Sequence, residues 1–466
     1  MDKLLAKIKR LIPTKIFRYL QPAYHFFLSW LAALVSGRPS EKLIVIGVTG
    51  TTGKTSSVYL IAKTLEEAGF KVGYTSTTLF GNGEKEWLND KKMTMVGRFF
   101  TQKILKDMVN NGCQYAIVES TSEGMRQFRH RFINYDILVF TGLYPEHIES
   151  HGGFENYKRA KGELFRHLKR GKTKYVDEDR KLRKTSSEIK KIDLNRVKKT
   201  IIVNGDDEHS DYFSEFWAEE KLTYQYDKGG AEEPSPHVRI IDYKKIRYQD
   251  RGYNFLVEGQ EVRLPILGEF NVQNAMNAVC VCLSQGIEIE AIKKGLRKIK
   301  GIAGRLEKIE QGQDFGIIVD YAFEPHAMEK LYSTLDLIPH ERIVHVLGSA
   351  GGGRDVSRRP QLGRIAGEKA DVVIVTNEDP YDEDPKLIID QVATGAENAG
   401  KHKEHDLFKI MDRREAIRKA LQLAEKDDII IITGKGSEQS ICTAKGGKVP
   451  WDDRQVVKEE LQQIDH

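Results

Sequence analysis

Gly47-Val48-Thr49-Gly50-Thr51-Thr52-Gly53-Lys54-Thr55 is the stretch on which the fold of this chain turns. It follows the apolar run Leu43 to Ile46, which reads as a buried parallel strand, and it precedes Ser56 to Ala68, whose apolar spacing predicts a helix ending near Gly69. Strand, glycine-rich turn and helix is the layout of a phosphate-binding loop. Glycines let backbone N–H groups close around an anion, and the helix N-terminus adds partial positive charge. Lys54 is positioned to reach terminal phosphates, and the Thr55 hydroxyl to bind magnesium. The generic loop has a glycine where this chain has Val48, so the motif is the variant Thr-Gly-Thr-Thr-Gly-Lys-Thr. A tight turn without a ligand is the competing explanation, and the flanking strand and helix argue against it.

At 466 residues, with 40% hydrophobic and 30% charged side chains, the chain has the composition of an ordinary globular protein of several domains. Its four cysteines, Cys113, Cys280, Cys282 and Cys442, have neither metal-ligand spacing nor a disulfide framework, which predicts a reducing, cytoplasmic compartment. Residues 1–18 carry six Lys or Arg against Asp2 alone, which accounts for the whole formal charge of +5. The rest is near neutral, and nucleic-acid binding is not expected.

Three regions follow from the pattern. Residues 1–42 form a short basic and apolar leader. Its uninterrupted apolar part, Phe26 to Val35, is shorter than the roughly 20 residues that a bilayer crossing needs. It reads either as an interfacial helix on an anionic inner leaflet or as a helix packing its apolar face on the next domain. Residues 43–302 read as a central α/β domain. Strands are expected at Tyr115 to Val118, Ile137 to Phe140 and Ile201 to Val203, with antiparallel strands over 237–266 and a core helix from Asn271 to Gln285. Residues 170–200, rich in lysine, read as solvated. Residues 303–466 repeat the βα alternation, with strands at Ile317–Val319, Ile343–Leu347, Val372–Val375 and Ile429–Ile432, and predict a second, Rossmann-like doubly wound domain.

Further motifs recur in one order. They are Glu119-Ser120-Thr121-Ser122; Glu146-His147 with His151-Gly152 and Glu155-Asn156-Tyr157; Ala160-Lys161; and Gly268-Glu269-Phe270-Asn271 with Asn274-Ala275. Gly304-Arg305-Leu306-Glu307, Asp320-Tyr321-Ala322, Gly351 to Pro360, Asp379-Pro380 and Gly434-Lys435-Gly436-Ser437-Glu438 follow. Together they resemble the Mur ligases, ATP-dependent amino-acid ligases of peptidoglycan precursor synthesis, and most of all the tripeptide synthetase branch. The resemblance covers roughly residues 43–455. It implies an α/β fold, a central P-loop ATPase domain with a parallel sheet and a small antiparallel sheet, then a Rossmann-like domain. The implied chemistry is ATP-driven formation of an acyl phosphate and its capture by an amino acid's amine.

The resemblance also implies roles. Gly50, Thr51, Thr52, Gly53, Lys54 and Thr55 would hold ATP phosphates. Thr55 and Glu119 would bind a first magnesium, and His147 a second, with Lys161 as a carbamylated ligand. Asn274, Arg305 and Asp320 would contact the nucleotide, and Asp379, Tyr381, Gly434 and Glu438 the incoming amino acid. A helix cap for Glu119, a structural role for His147, a solvated face for Lys161 and a surface ion pair for Arg305 are the plainer alternatives.

The chain departs from its branch in places. Only 42 residues precede the loop strand, where relatives carry a domain for the UDP part of the substrate. A substrate that is held differently, held by another chain, or not UDP-linked follows as an expectation, a membrane-linked one among them, with peripheral membrane contact through residues 1–40. Glu378-Asp379-Pro380-Tyr381 replaces Asp-Asn-Pro-Arg, so a distal carboxylate loses its forked arginine, and Glu438 is expected to take a terminal ammonium instead. Asp320-Tyr321-Ala322-Phe323, Gly353-Arg354-Asp355 and Thr121-Ser122-Glu123 also differ from the usual motifs. The alternatives are a folylpolyglutamate- or cyanophycin-type ligase and a non-catalytic ATP-binding scaffold.

Overall fold

The computed structural model describes residues 14–145, 151–177, 179–182, 194–227 and 238–464. The strand Ile44–Thr49 sits at the centre of an eleven-stranded sheet. Its neighbours are Tyr115–Glu119 on one side and Ile137–Phe140 on the other, both parallel to it. Side chains alternate along it: Ile44, Ile46 and Val48 enter one apolar cluster and Val45 the other. Helices therefore cover both faces, as an all-parallel core requires. Lys54–Glu67 and Phe270–Ser284 pack on the first face, Arg98–Asn110 and Phe154–Leu168 on the second.

The phosphate-loop helix starts at Lys54, two residues before the apolar periodicity begins, because its first turn is the loop itself. The expected antiparallel strands are Arg239–Gln249, Gly252–Val257 and Gln260–Leu264. They do not form a sheet of their own. Arg239–Gln249 pairs parallel with Glu220–Tyr226, so the hairpins extend the central sheet at its edge. The second lobe has a six-stranded sheet in which Gly316–Val319, Ile429–Ile432, Ile343–Leu347, Val372–Thr376 and Leu407–Ile410 run parallel, with Glu307–Lys308 antiparallel at one edge.

The leader packs on the domain that follows it, the second of the two readings expected of it. Thr14–Val35 is one helix with Pro22 inside it, and no described helix is long and apolar enough to cross a membrane. Its inward face mixes polar and small apolar groups. Arg98 donates to Ser29 Oγ at 3.2 Å and to His25 Nδ1 at 2.7 Å, while Ala32 and Ala33 are buried. Phe26 is gripped edge-on by Phe128 and Phe132, which both hold left-handed backbone angles. The outward face presents Leu20, Tyr24, Phe27, Trp30 and Leu34, with Phe27 53% exposed.

Of residues 170–200, 178 and 183–193 lie outside the described residues, and the rest are not simply solvated. Lys174 and Lys199 are buried, donating to the two carboxylate oxygens of fully buried Asp136 at 2.5 and 2.9 Å. Carbonyls of Leu43, Asn134 and Tyr135 take further N–H groups. Burial lowers the Lys174 ammonium to about 8, against the pull of Asp136. Polar spacing marks such lysines as surface residues; only the fold reveals the buried carboxylate. Asp136→Asn should therefore cost about 3–5 kcal/mol, because it leaves two buried ammonium groups without a counter-ion. Equilibrium denaturation in urea checks this, with the more exposed pair Lys63–Glu66 as a control expected to cost under about 1 kcal/mol when broken.

Candidate functional site

The central strand, its neighbour Tyr115–Glu119 and the loop after Val72–Thr75 all end at one edge of the sheet, the edge where open α/β folds gather ligand-binding groups. Thr55 Oγ donates to Glu119 Oε2 at 2.9 Å. Thr77 donates to the same carboxylate twice, through its backbone N at 2.8 Å and its hydroxyl at 3.0 Å. Thr94 shares a hydrogen bond of 2.9 Å with the Thr77 hydroxyl. Glu119 is 1% exposed, so it is a wall of the cleft rather than a solvated helix cap.

The loop is tightly lined. Gly53 has φ of +75°, and a Cβ there would lie 2.3 Å from Asn274 Oδ1, so only glycine fits. Asn274 Nδ2 donates to Asn271 at 2.8 Å, and Asn274 Oδ1 accepts from Ser57 at 3.3 Å. Thr51 N donates to Gly142 O at 2.8 Å, and the Thr52 carbonyl accepts from Thr141 at 2.6 Å. Lys54 Nζ donates to the Gly50 and Thr51 carbonyls at 3.1 and 2.6 Å. Lys161 Nζ donates to Gly50 O at 2.6 Å and lies 4.5 Å from the Tyr157 ring centre. Lys161 is buried at 2% exposure, unlike Lys158, which pairs with Glu155.

The second lobe closes the cleft. Arg305 stacks 4.3 Å over Tyr321, and Asp320 accepts backbone N–H bonds from Leu306 and Ala322, both at 2.7 Å. Tyr144 of the first lobe donates to Glu324 of the second at 3.2 Å. Asp379 and Glu438 both pair with Lys435, at 2.9 and 2.6 Å, and both pair again with Lys92. Glu438 is thus not a free receptor for an ammonium. Glu378 is the contrasting group: it is buried, its Oε2 has no hydrogen-bond partner, and a Cβ on Gly434 would come within 2.3 Å of that oxygen. Burial, then the charge of Asp379, raises its pKa, against Lys435, Arg413 and Arg358.

One cavity of about 530 Å³ takes in the loop, Glu119, Lys161, Asn274, Arg305, Asp320, Asp379, Tyr381, Gly434 and Glu438. Glu146 and His147 lie outside the described residues. Sequence reasoning missed Thr77, Thr94 and Lys92, which no motif marks, and it assigned no role to Lys435 or Arg358. Arg358 is 8% exposed and 5.4 Å from the Phe323 ring, which stands where the usual motif has histidine. Among the described residues no three His, Cys, Asp or Glu side chains converge as a metal cage. A hydroxyl and a carboxylate side by side nonetheless suit magnesium, which keeps several waters and leans on phosphate oxygens for the rest.

Residues 48–200 and 189–282 match the Mur ligase middle domain, and residues 304–436 match the Mur ligase glutamate ligase domain. A UDP-N-acetylmuramyl-tripeptide synthetase of Roseiflexus sp. (strain RS-1) is 36% identical over 442 residues, 93% of this chain and 81% of that protein. A UDP-N-acetylmuramoyl-L-alanyl-D-glutamate–2,6-diaminopimelate ligase of Clostridium tetani (strain Massachusetts / E88) is 32% identical over 92% of this chain and 79% of that protein. A solved diaminopimelate ligase structure, 27% identical, superposes with a TM-score of 0.57 over 91% of this chain and 79% of that one. A folylpolyglutamate synthase of Mycobacterium tuberculosis reaches 0.61 at 16% identity, over 86% of this chain and 91% of that one, which speaks to the fold alone.

Proposed function

The chain belongs to the Mur ligase family, and from that premise we propose that it adds a diamino acid to the terminal carboxylate of a UDP-muramoyl-peptide precursor of peptidoglycan, in the cytoplasm. Residues 43–302 and 303–466 are the two working lobes. The observation that carries this reading is the shared cleft: the phosphate loop with Thr55 and Glu119 faces Glu378 and Asp379 across a single cavity.

ATP passes its γ-phosphoryl group to the substrate carboxylate, giving an acyl phosphate. The neutral α-amine of the amino acid attacks the acyl carbon, the amide forms, and phosphate leaves. No side-chain nucleophile is needed; positioning, charge neutralisation and exclusion of water do the work. Lys54 leaves the Gly50 and Thr51 carbonyls for the terminal phosphates. Asn274 and Arg305 flank the nucleotide, and Asp320 holds the turn at Leu306 that carries Arg305. Thr55 and Glu119 would hold one magnesium, and His147 with a carbamylated Lys161 would hold a second; such ions would supply neutralisation of phosphate charge. Carbamylation leaves Lys161 one N–H, so its bond to Gly50 O survives while a carboxylate-like group is gained.

The cationic end of the amino acid binds Glu378. Tyr381, where diaminopimelate enzymes carry arginine, offers no fork for a distal carboxylate. A second reading concerns place. The outward aromatic stripe of the leader helix, in a segment whose first 18 residues are basic in sequence, supports a resting position on an anionic membrane surface.

Mass spectrometry of products from ATP, UDP-muramoyl-dipeptide and mixed amino acids should reveal addition of lysine or another diamino acid; glutamate or alanine as best acceptor refutes the pocket assignment. Glu378 must be ionised to hold a cation, so the KM for lysine should rise as pH falls through its raised pKa. Glu378→Gln should flatten that rise. Carbon-13 bicarbonate should give a carbamate resonance that Lys161→Arg abolishes. Full-length protein should float with vesicles containing anionic lipid, whereas a version lacking residues 1–40 stays behind; equal recovery removes the membrane reading.

A further inference from the structure

Lys92 belongs to the first lobe, yet its charge is spent on the second. It lies in the loop between Glu86–Leu88 and Arg98–Asn110, with its backbone in the left-handed region at φ 51°. The loop is pinned before it gets there. Asn89 N donates to Thr78 O at 2.9 Å, and Asn89 Nδ2 donates to Ser76 O at 2.9 Å and Met93 O at 3.1 Å. From this fixed base the Lys92 ammonium reaches both oxygens of Asp379, at 2.8 and 2.9 Å, and Glu438 Oε2 at 3.0 Å. Its side chain is 7% exposed.

Two lysines and two carboxylates thus form a closed square, with Lys435 completing it from within the second lobe. Removing either lysine would leave a buried carboxylate short of its counter-ion, which is far more costly than the loss of a surface pair. Two residues further on, Thr94 joins Thr77, and Thr77 joins Glu119 and hence Thr55. One short loop therefore touches the amino-acid pocket with Lys92 and the phosphate wall with Thr94.

We propose that Lys92 is a positioning residue that completes the amino-acid pocket from across the cleft. By neutralising Asp379 and Glu438 together with Lys435, it leaves Glu378 as the carboxylate that selects a cationic acceptor. By sharing a loop with Thr94, it sets that pocket at a fixed distance from the phosphate site. The inference rests on the ligase reading above and adds a residue from outside the second lobe to its acceptor pocket.

The test uses the full chain with ATP, UDP-muramoyl-dipeptide and lysine. Lys92→Met should raise the KM for lysine by at least about tenfold and leave the KM for ATP within about twofold. Positional isotope exchange in ATP without lysine, which reads acyl-phosphate formation alone, should persist. Lys92→Arg should restore most of the lysine affinity, and Lys91→Met, at a more exposed neighbour paired with Asp90, should change neither constant. Hydrogen exchange in the ligand-free protein should quicken around 437–442 in Lys92→Met and not elsewhere in the second lobe. An unchanged KM for lysine, or loss of isotope exchange in step with it, overturns the proposal. A wild-type enzyme that releases ADP with UDP-muramoyl-dipeptide but with no amino-acid dependence overturns the ligase reading itself, and the proposal with it.

Discussion

Parallel strands bring their carboxyl ends to one edge, and that constraint decides where chemistry can happen here. The register pairs Val48 with Glu119 and Thr49 with Phe140, so the loop after the first strand opens beside a carboxylate and beside Thr141. Without that alignment Thr55 and Glu119 would be distant residues on separate elements. With it they touch, and two hydroxyls from neighbouring loops finish the wall. The opposite edge carries the structural charge: Asp136 sits just before Ile137–Phe140, where Lys174 and Lys199 tie down the amino ends of the same strands. Function and anchoring are separated by the length of a strand.

The cleft between the lobes is electrostatically matched. The first lobe offers Lys54, Lys92 and Lys161 and the hydroxyls of Thr51 and Thr55, with the carboxylates of Glu119, Asp206 and Asp207. The second offers both signs, with Arg305, Arg354 and Arg358 against Glu378, Asp379 and Glu438. Phosphate and carboxylate groups of substrates can enter such a space without leaving an unbalanced charge in low dielectric. Most side chains there already have a partner within the protein. Glu378 Oε2 and Arg358 Nε do not, and both line the same cavity.

Much of this was legible beforehand, because local rules and the fold agree at the loop. Its glycines, the apolar strand before it and the helix after it each point to the same turn, and strands such as Ile343–Leu347 and Ile429–Ile432 fall where runs rich in β-branched apolar residues predict them. What stayed hidden depends on contacts between distant residues. Lys92 and Asp379 are 287 positions apart, and nothing near either hints at the other. Lys174 and Lys199 look like surface residues until a buried aspartate is found between them. Glu438 could be placed in the pocket by its motif, but its pairing with two lysines is a property of the assembled cleft. The leader helix departs from the usual rule, turning histidine and serine inward because Arg98 waits there.

That departure bears on how the protein is handled at the bench. Trimming the leader to gain a better-behaved sample would take away the imidazole and hydroxyl that Arg98 uses, and would uncover the bed on which Ala32 and Ala33 rest. Keeping it leaves a ridge of indole, phenyl and isobutyl groups facing the buffer. The segment that looks most like a disposable tag is part of the folded body.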